Sequence, residues 1–123
     1  MEETKEKKAL IGWVAVDSGQ LMLCDPCYIK SDEWQEQEYK PASINNTGSY
    51  PFNYNGACGA TLSDKQAGEL HFNNGINGAG VAFTTGLGDG HYPVYATYID
   101  DGEWGLRIAK VEVVFLINDE ELF

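Results

Sequence analysis

The stretch from Gly78 to Tyr98, GAGVAFTTGLGDGHYPVYATY, constrains the fold most. Val81, Ala82, Phe83 and Thr84 suit a buried strand, and Val94, Tyr95, Ala96, Thr97 and Tyr98 form a second run of β-branched and aromatic residues. Between them, Gly86, Gly88 and Gly90 surround Asp89. Three glycines in five positions imply positive φ angles or close approach of the backbone by another segment or a ligand. No long helical pattern separates the strand candidates anywhere in the chain, which argues against a parallel α/β fold.

Other strand candidates follow from the same signals. Leu10 to Val16 and Leu21 to Cys24 flank the turn Asp17-Ser18-Gly19-Gln20 and read as an antiparallel hairpin. Asp25-Pro26 then stops the ladder, because proline has no N–H to donate. Asp101-Gly102 signals a hairpin turn into a last strand from about Glu103 to Ile117. In that strand Trp104, Leu106 and Ile108 occupy one parity and Val111, Val113 and Phe115 the other, so a β-bulge is expected near Ala109-Lys110. Ser31 is a candidate cap for a short helix through Asp32, Glu33, Trp34 and Gln37. Residues 41–56 read as a long irregular connection, Ala57 to Leu62 as a short strand, and Ser63 with Gln66 as a capping box opening one or two helical turns. The expected fold is mainly β: a single antiparallel, strongly bent sheet, or a small barrel or sandwich, with one or two short helices. Residues 1–9 form a flexible charged tail, 10–118 a single β domain and 119–123 a C-terminal tail.

Composition narrows the function classes. The chain has 123 residues and a net charge of −11, with eight Lys and Arg. Three of those eight lie in the first eight residues. A basic stripe tracking nucleic acid is absent, so direct nucleic-acid binding is not expected. No run approaches the ~20 apolar residues of a membrane helix, and the charged start MEETKEKKAL lacks a signal-peptide pattern. The expected location is the cytoplasm, without membrane association. An odd number of cysteines, Cys24, Cys27 and Cys58, argues against a disulfide framework.

Two stretches carry candidate chemistry. In Cys24-Asp25-Pro26-Cys27-Tyr28, a zinc site needs further ligands at characteristic spacing, and only Cys58, His71 and His91 remain. A nucleophilic Cys27 with His91 as base needs a lowered thiol pKa, which Asp25 opposes. A packing role also accounts for both cysteines. In Gly88-Asp89-Gly90-His91-Tyr92-Pro93, glycine amides suit a phosphate, yet neither a Walker loop nor a dinucleotide fingerprint is present, and a tight turn accounts for the glycines equally. Asp17, Asp25 and Asp89 at one end of a sheet are a candidate cation or polar-ligand site. Tyr50, Phe52 and Tyr54 alternate, as one face of a strand or a stacking surface would.

The chain resembles a group of small proteins encoded by bacteriophages and bacteria. The resemblance spans roughly residues 12–116. It rests on Leu23-Cys24-Asp25-Pro26-Cys27-Tyr28-Ile29, on Gly56-Ala57-Cys58 with Ala60-Thr61-Leu62-Ser63, and above all on Gly88-Asp89-Gly90-His91-Tyr92-Pro93-Val94-Tyr95. It implies a compact β domain, and no catalytic residue is carried over from it. The preferred reading is a non-catalytic binding protein of phage or mobile-element type that sequesters a small polar or nucleotide-like signalling molecule to counter host defence. The ligand-binding candidates are Asp25, Cys27, Tyr28, Gly88, Asp89, Gly90, His91, Tyr92 and Arg107, with no cofactor or metal. The expected assembly is a homo-oligomer, the long last strand pairing across a two-fold axis. Two alternatives are a metal-dependent or cysteine hydrolase using Asp25, Cys27, Asp89 and His91, and an acidic inhibitor that binds a host protein or mimics nucleic acid.

Overall fold

The computed structural model describes residues 5–34 and 48–116. The expected tails at 1–4 and 119–123, the end of the Ser31 helix beyond Trp34 and the connection at 41–47 lie outside the described residues. The chain is mainly β and forms two compact units. Described residues up to Asp17 and from Asp89 onward make the first, and Ser18–Gly88 the second.

The first unit is a three-stranded antiparallel sheet in the order β1-β6-β7, with β1 at Lys5–Val16, β6 at Gly90–Asp100 and β7 at Leu106–Val113. β1 begins five residues earlier than the apolar pattern suggests. Its lysines are not tail residues: Lys8 lies 5.0 Å from the Tyr95 ring centre and 3.4 Å from the Glu112 carboxylate, a row running across all three strands. The β6–β7 turn is held by the Asp100 and Asp101 carboxylates, which accept the amides of Gly102, Glu103 and Trp104 at 2.7–3.1 Å. The expected bulge is present. Thr97 pairs with Lys110 and Tyr98 with Ile108, which leaves Ala109 as the extra residue. Leu106, Ile108, Val111 and Val113 thereby share one sheet face despite their mixed parity.

The second unit is a four-stranded sheet in the order β2-β5-β4-β3, formed by β2 at Gln20–Cys24, β5 at Asn77–Thr84, β4 at Ala67–His71 and β3 at Ser49–Pro51. β3 and β4 are parallel and the other pairs antiparallel. The expected β1–β2 hairpin is therefore replaced. β1 pairs with β6 and β2 with β5: the 11-residue β6 matches the 12-residue β1 along its length, which the 5-residue β2 cannot.

The main correction is α1, Tyr54–Thr61, where a loop end and a strand were expected. Asn53 caps it: its side chain accepts the Gly56 amide at 2.7 Å, satisfying one of the free N–H groups of the first turn. Two internal glycines lower helix propensity by about 1 kcal/mol each, but packing requires one of them. A Cβ on Gly56 would lie 1.8 Å from the Pro51 carbonyl oxygen. Ser63 does not open a second helix. Its hydroxyl donates back to the Ala60 carbonyl at 2.6 Å, and β4 starts at Ala67. The core beneath α1 joins Tyr50, Phe52, Ala57, Ala60, Leu70, Ala79 and Ala82, with Met22, Cys24, Tyr28, Trp34 and Phe72 packed around it. Tyr50 and Phe52 are thus core residues rather than a stacking surface.

Gly56→Ala is expected to lower unfolding free energy by about 3 kcal/mol or more, since its methyl meets backbone that cannot swing aside. Gly12→Ala, which meets nothing within 4 Å, is expected to stay within about 0.5 kcal/mol of the parent. Urea unfolding of both variants checks this, and equal losses would contradict the packing argument.

Candidate functional site

The sheet of the second unit bears a cleft of about 530 Å³, within the usual size of small-ligand sites. Three segments build it. β2 contributes Leu23 and Cys24, and the turn after β2 contributes Asp25 and Tyr28. Glu69 of β4 and Gly78–Val81 of β5 complete it.

Local sequence explains each wall. Pro26 begins a one-turn 3₁₀ helix, Pro26–Tyr28, and Asp25 is its N-cap, accepting the Cys27 amide at 3.0 Å. This turn carries Tyr28 back over the sheet, where its ring meets Phe72 edge-on at 5.1 Å. On β5 the pairing is irregular: Leu70 faces Gly80, but His71 faces Asn77. Gly78 and Ala79 are the extra residues, and Gly78 has a φ of 122°, which a side chain would resist. Glycine there leaves the wall bare. Leu23 and Val81 are opposite one another and exposed, giving the cleft an apolar side.

The electrostatics are one-sided. The lining side chains include two carboxylates, Asp25 and Glu69, and no Lys, Arg or His. The Cys27 amide and thiol donate to the Asp25 carboxylate and hold its pKa below the ordinary carboxylate value. The same hydrogen bond pushes the Cys27 thiol above its ordinary pKa. Burial, reinforced by the Asp25 charge, raises Cys24. Both thiols near the cleft are therefore kept protonated, the opposite of what a cysteine nucleophile requires.

A second, smaller cleft of about 190 Å³ lies beside α1, lined by Gln20, Met22, Trp34, Tyr54 and their neighbours. Gln20 anchors it by accepting from the Thr61 hydroxyl at 3.1 Å and donating toward the Cys58 sulfur at 3.5 Å.

The sequence-derived candidates divide between the units. Asp25 and Tyr28 line the larger cleft, and the exposed Cys27 adjoins it. Gly88 closes a turn in the second unit. Its amide donates to the Thr85 carbonyl at 3.1 Å and its carbonyl accepts the fully buried Thr85 hydroxyl at 2.7 Å, so that amide is committed to the turn rather than to a phosphate. Asp89, Gly90, His91, Tyr92 and Arg107 belong to the first unit. There His91 is exposed and pairs with Ala15, while Tyr92 points to the opposite face, buried edge-on against Phe115 at 5.2 Å. Arg107 faces Ile99, nine residues along β6 from Gly90, or roughly 30 Å at the usual strand rise. Its guanidinium lies over Trp104. These five do not converge on one point.

Among the described residues no three or more His, Cys, Asp and Glu side chains are grouped so as to hold a metal ion. No helix among them is long and apolar enough to cross a membrane. The sequence reading missed Leu23, Glu69 and Gly78–Val81 as cleft residues. The signal available for the last was Gly78-Ala79-Gly80, since glycine inside a strand marks a bulge or close approach. In comparisons with known proteins, no family model, curated protein or solved structure matches this chain.

Alkylation by iodoacetamide, followed peptide by peptide, is expected to give Cys27 a rate-against-pH midpoint above that of an ordinary thiol. Asp25→Asn keeps the turn's cap but removes the charge, so the midpoint falls and the rate at neutral pH rises. A midpoint unchanged by Asp25→Asn would contradict the assignment.

Proposed function

We propose that this chain is a non-catalytic binding domain, with the cleft over β2, β4 and β5 as its ligand site. The observation that carries the reading is the cleft's lining: a bare glycine wall, an aromatic ring, an apolar side and two carboxylates, beside thiols held protonated. That lining suits binding and offers no activated nucleophile for a cysteine hydrolase.

The lining also sets the ligand class. Asp25 and Glu69 favour a small molecule that is neutral or positively charged and donates hydrogen bonds. The net charge of −11 acts in the same direction at long range. Sequestration of a signalling molecule, as the phage-type resemblance suggests, is compatible with this site for a ligand that offers an uncharged ring or an amine. Phosphate groups would be repelled.

The test is titration of the labelled protein with three probes: putrescine as cation, adenosine as neutral ring and adenosine monophosphate as anion. Putrescine or adenosine is expected to shift the backbone amide resonances of Leu23–Tyr28 and Gly78–Val81. Glu69→Gln is expected to weaken putrescine about tenfold, the scale of one charge-assisted hydrogen bond, with melting temperature unchanged. Preference for the monophosphate, or shifts confined to other residues, would overturn the reading.

A further inference from the structure

We propose that β7 is a self-complementary dimer edge: a second copy of this chain adds its own β7 antiparallel, about a two-fold axis between Ala109 and Lys110.

Among the described residues nothing pairs with the outer edge of β7, and its apolar residues are open to solvent: Leu106 is 65% exposed, Ile108 54% and Val111 52%. An unpaired edge of this kind is a template for another strand. Its hydrogen-bonding pattern follows from the register. Leu106, Ile108, Val111 and Val113 face Asp100, Tyr98, Ala96 and Val94, all even positions of β6. The Val114 amide donates to the Pro93 carbonyl at 3.3 Å, as the residue after a non-hydrogen-bonded pair does, so Val94 and Val113 form such a pair. The other three pairs have the same parity on β6 and the same character. All four β7 residues therefore turn their amide and carbonyl groups outward, with their side chains on one face.

That set of four maps onto itself. The proposed axis places Leu106 opposite Val113 and Ile108 opposite Val111 of the second copy, joining outward groups to outward groups. It places Arg107 opposite Glu112 of the second copy, twice per dimer, and Lys110 opposite Ala109. The Ala109 bulge makes this match possible. In a regular strand an axis between two residues would oppose outward and inward groups. Other axes are worse. A half-residue shift mismatches the outward groups. A full residue toward the N-terminus sets Arg107 against Lys110, and a full residue the other way sets Lys110 against Val111. Charge complementarity and register thus select a second copy as the occupant.

Sedimentation equilibrium across micromolar to millimolar protein tests this. The parent is expected to be a monomer–dimer equilibrium. Arg107→Glu and Glu112→Arg each place like charges opposite one another and are expected to raise the dissociation constant about tenfold, whereas the double variant restores the cross-copy pair and returns within about threefold of the parent. All are compared in a Lys8→Met background, because Lys8 pairs with Glu112 within one chain. Val111→Lys, at an exposed position, is expected to give monomer with an unchanged circular dichroism spectrum. A parent that stays monomeric throughout, or a dimer indifferent to Arg107→Glu and Val111→Lys, would overturn the proposal.

Discussion

The structure of the second unit depends on how closely α1 lies on the sheet. Only hydrogen is tolerated at Gly56, which sits against the Pro51 backbone, and at Gly68, where a Cβ would lie 2.7 Å from the Tyr50 ring and 3.1 Å from the Ala60 methyl. Two glycines on different elements thus let a short helix and a three-residue strand share one core. Tyr50 and Leu70 are its largest apolar members and are almost completely buried, at 1% and 0% exposure. The short α1 gains its stability from this burial and from the Asn53 cap, since a helix of this length is marginal alone.

The cleft is a consequence of the same arrangement. The helix covers one face of the sheet. Residues of opposite parity, Leu23, Glu69 and Val81, emerge on the other. The bulge at Gly78-Ala79 and the proline-led turn at Asp25–Tyr28 then bound that open surface. A buried core thus lies on one side of the sheet, and two backbone irregularities bound the cleft on the other.

Much of the β architecture was legible in the sequence, because alternation and turn chemistry are local. The Asp101-Gly102 turn, the bulge at Ala109 and the strands on either side of the glycine loop could each be read from a few adjacent residues. Strand pairing could not. β1 with β6 and β2 with β5 are long-range choices, and a short turn at 17–19 mimics a hairpin. Helix α1 was hidden because its two glycines oppose local propensity, and the one that packing requires, Gly56, is explained only by the Pro51 carbonyl five residues away. Of the candidate site, Asp25 and Tyr28 were visible through their motif. Glu69 carried no signal of its own, and in the glycine loop turn glycines and ligand-binding glycines are written alike, so the residues left both readings open.

Amide hydrogen exchange tests most directly that the helix-on-sheet contact underlies the second unit. The account predicts the slowest exchange at Leu70, Ala82 and Ala57–Ala60, with protection approaching that of global unfolding, and rapid exchange at the exposed Asn74 amide in the turn after β4. Exchange at Ala57–Ala60 as fast as in that turn would contradict it, because the helix would then be opening independently of the sheet it is held to close.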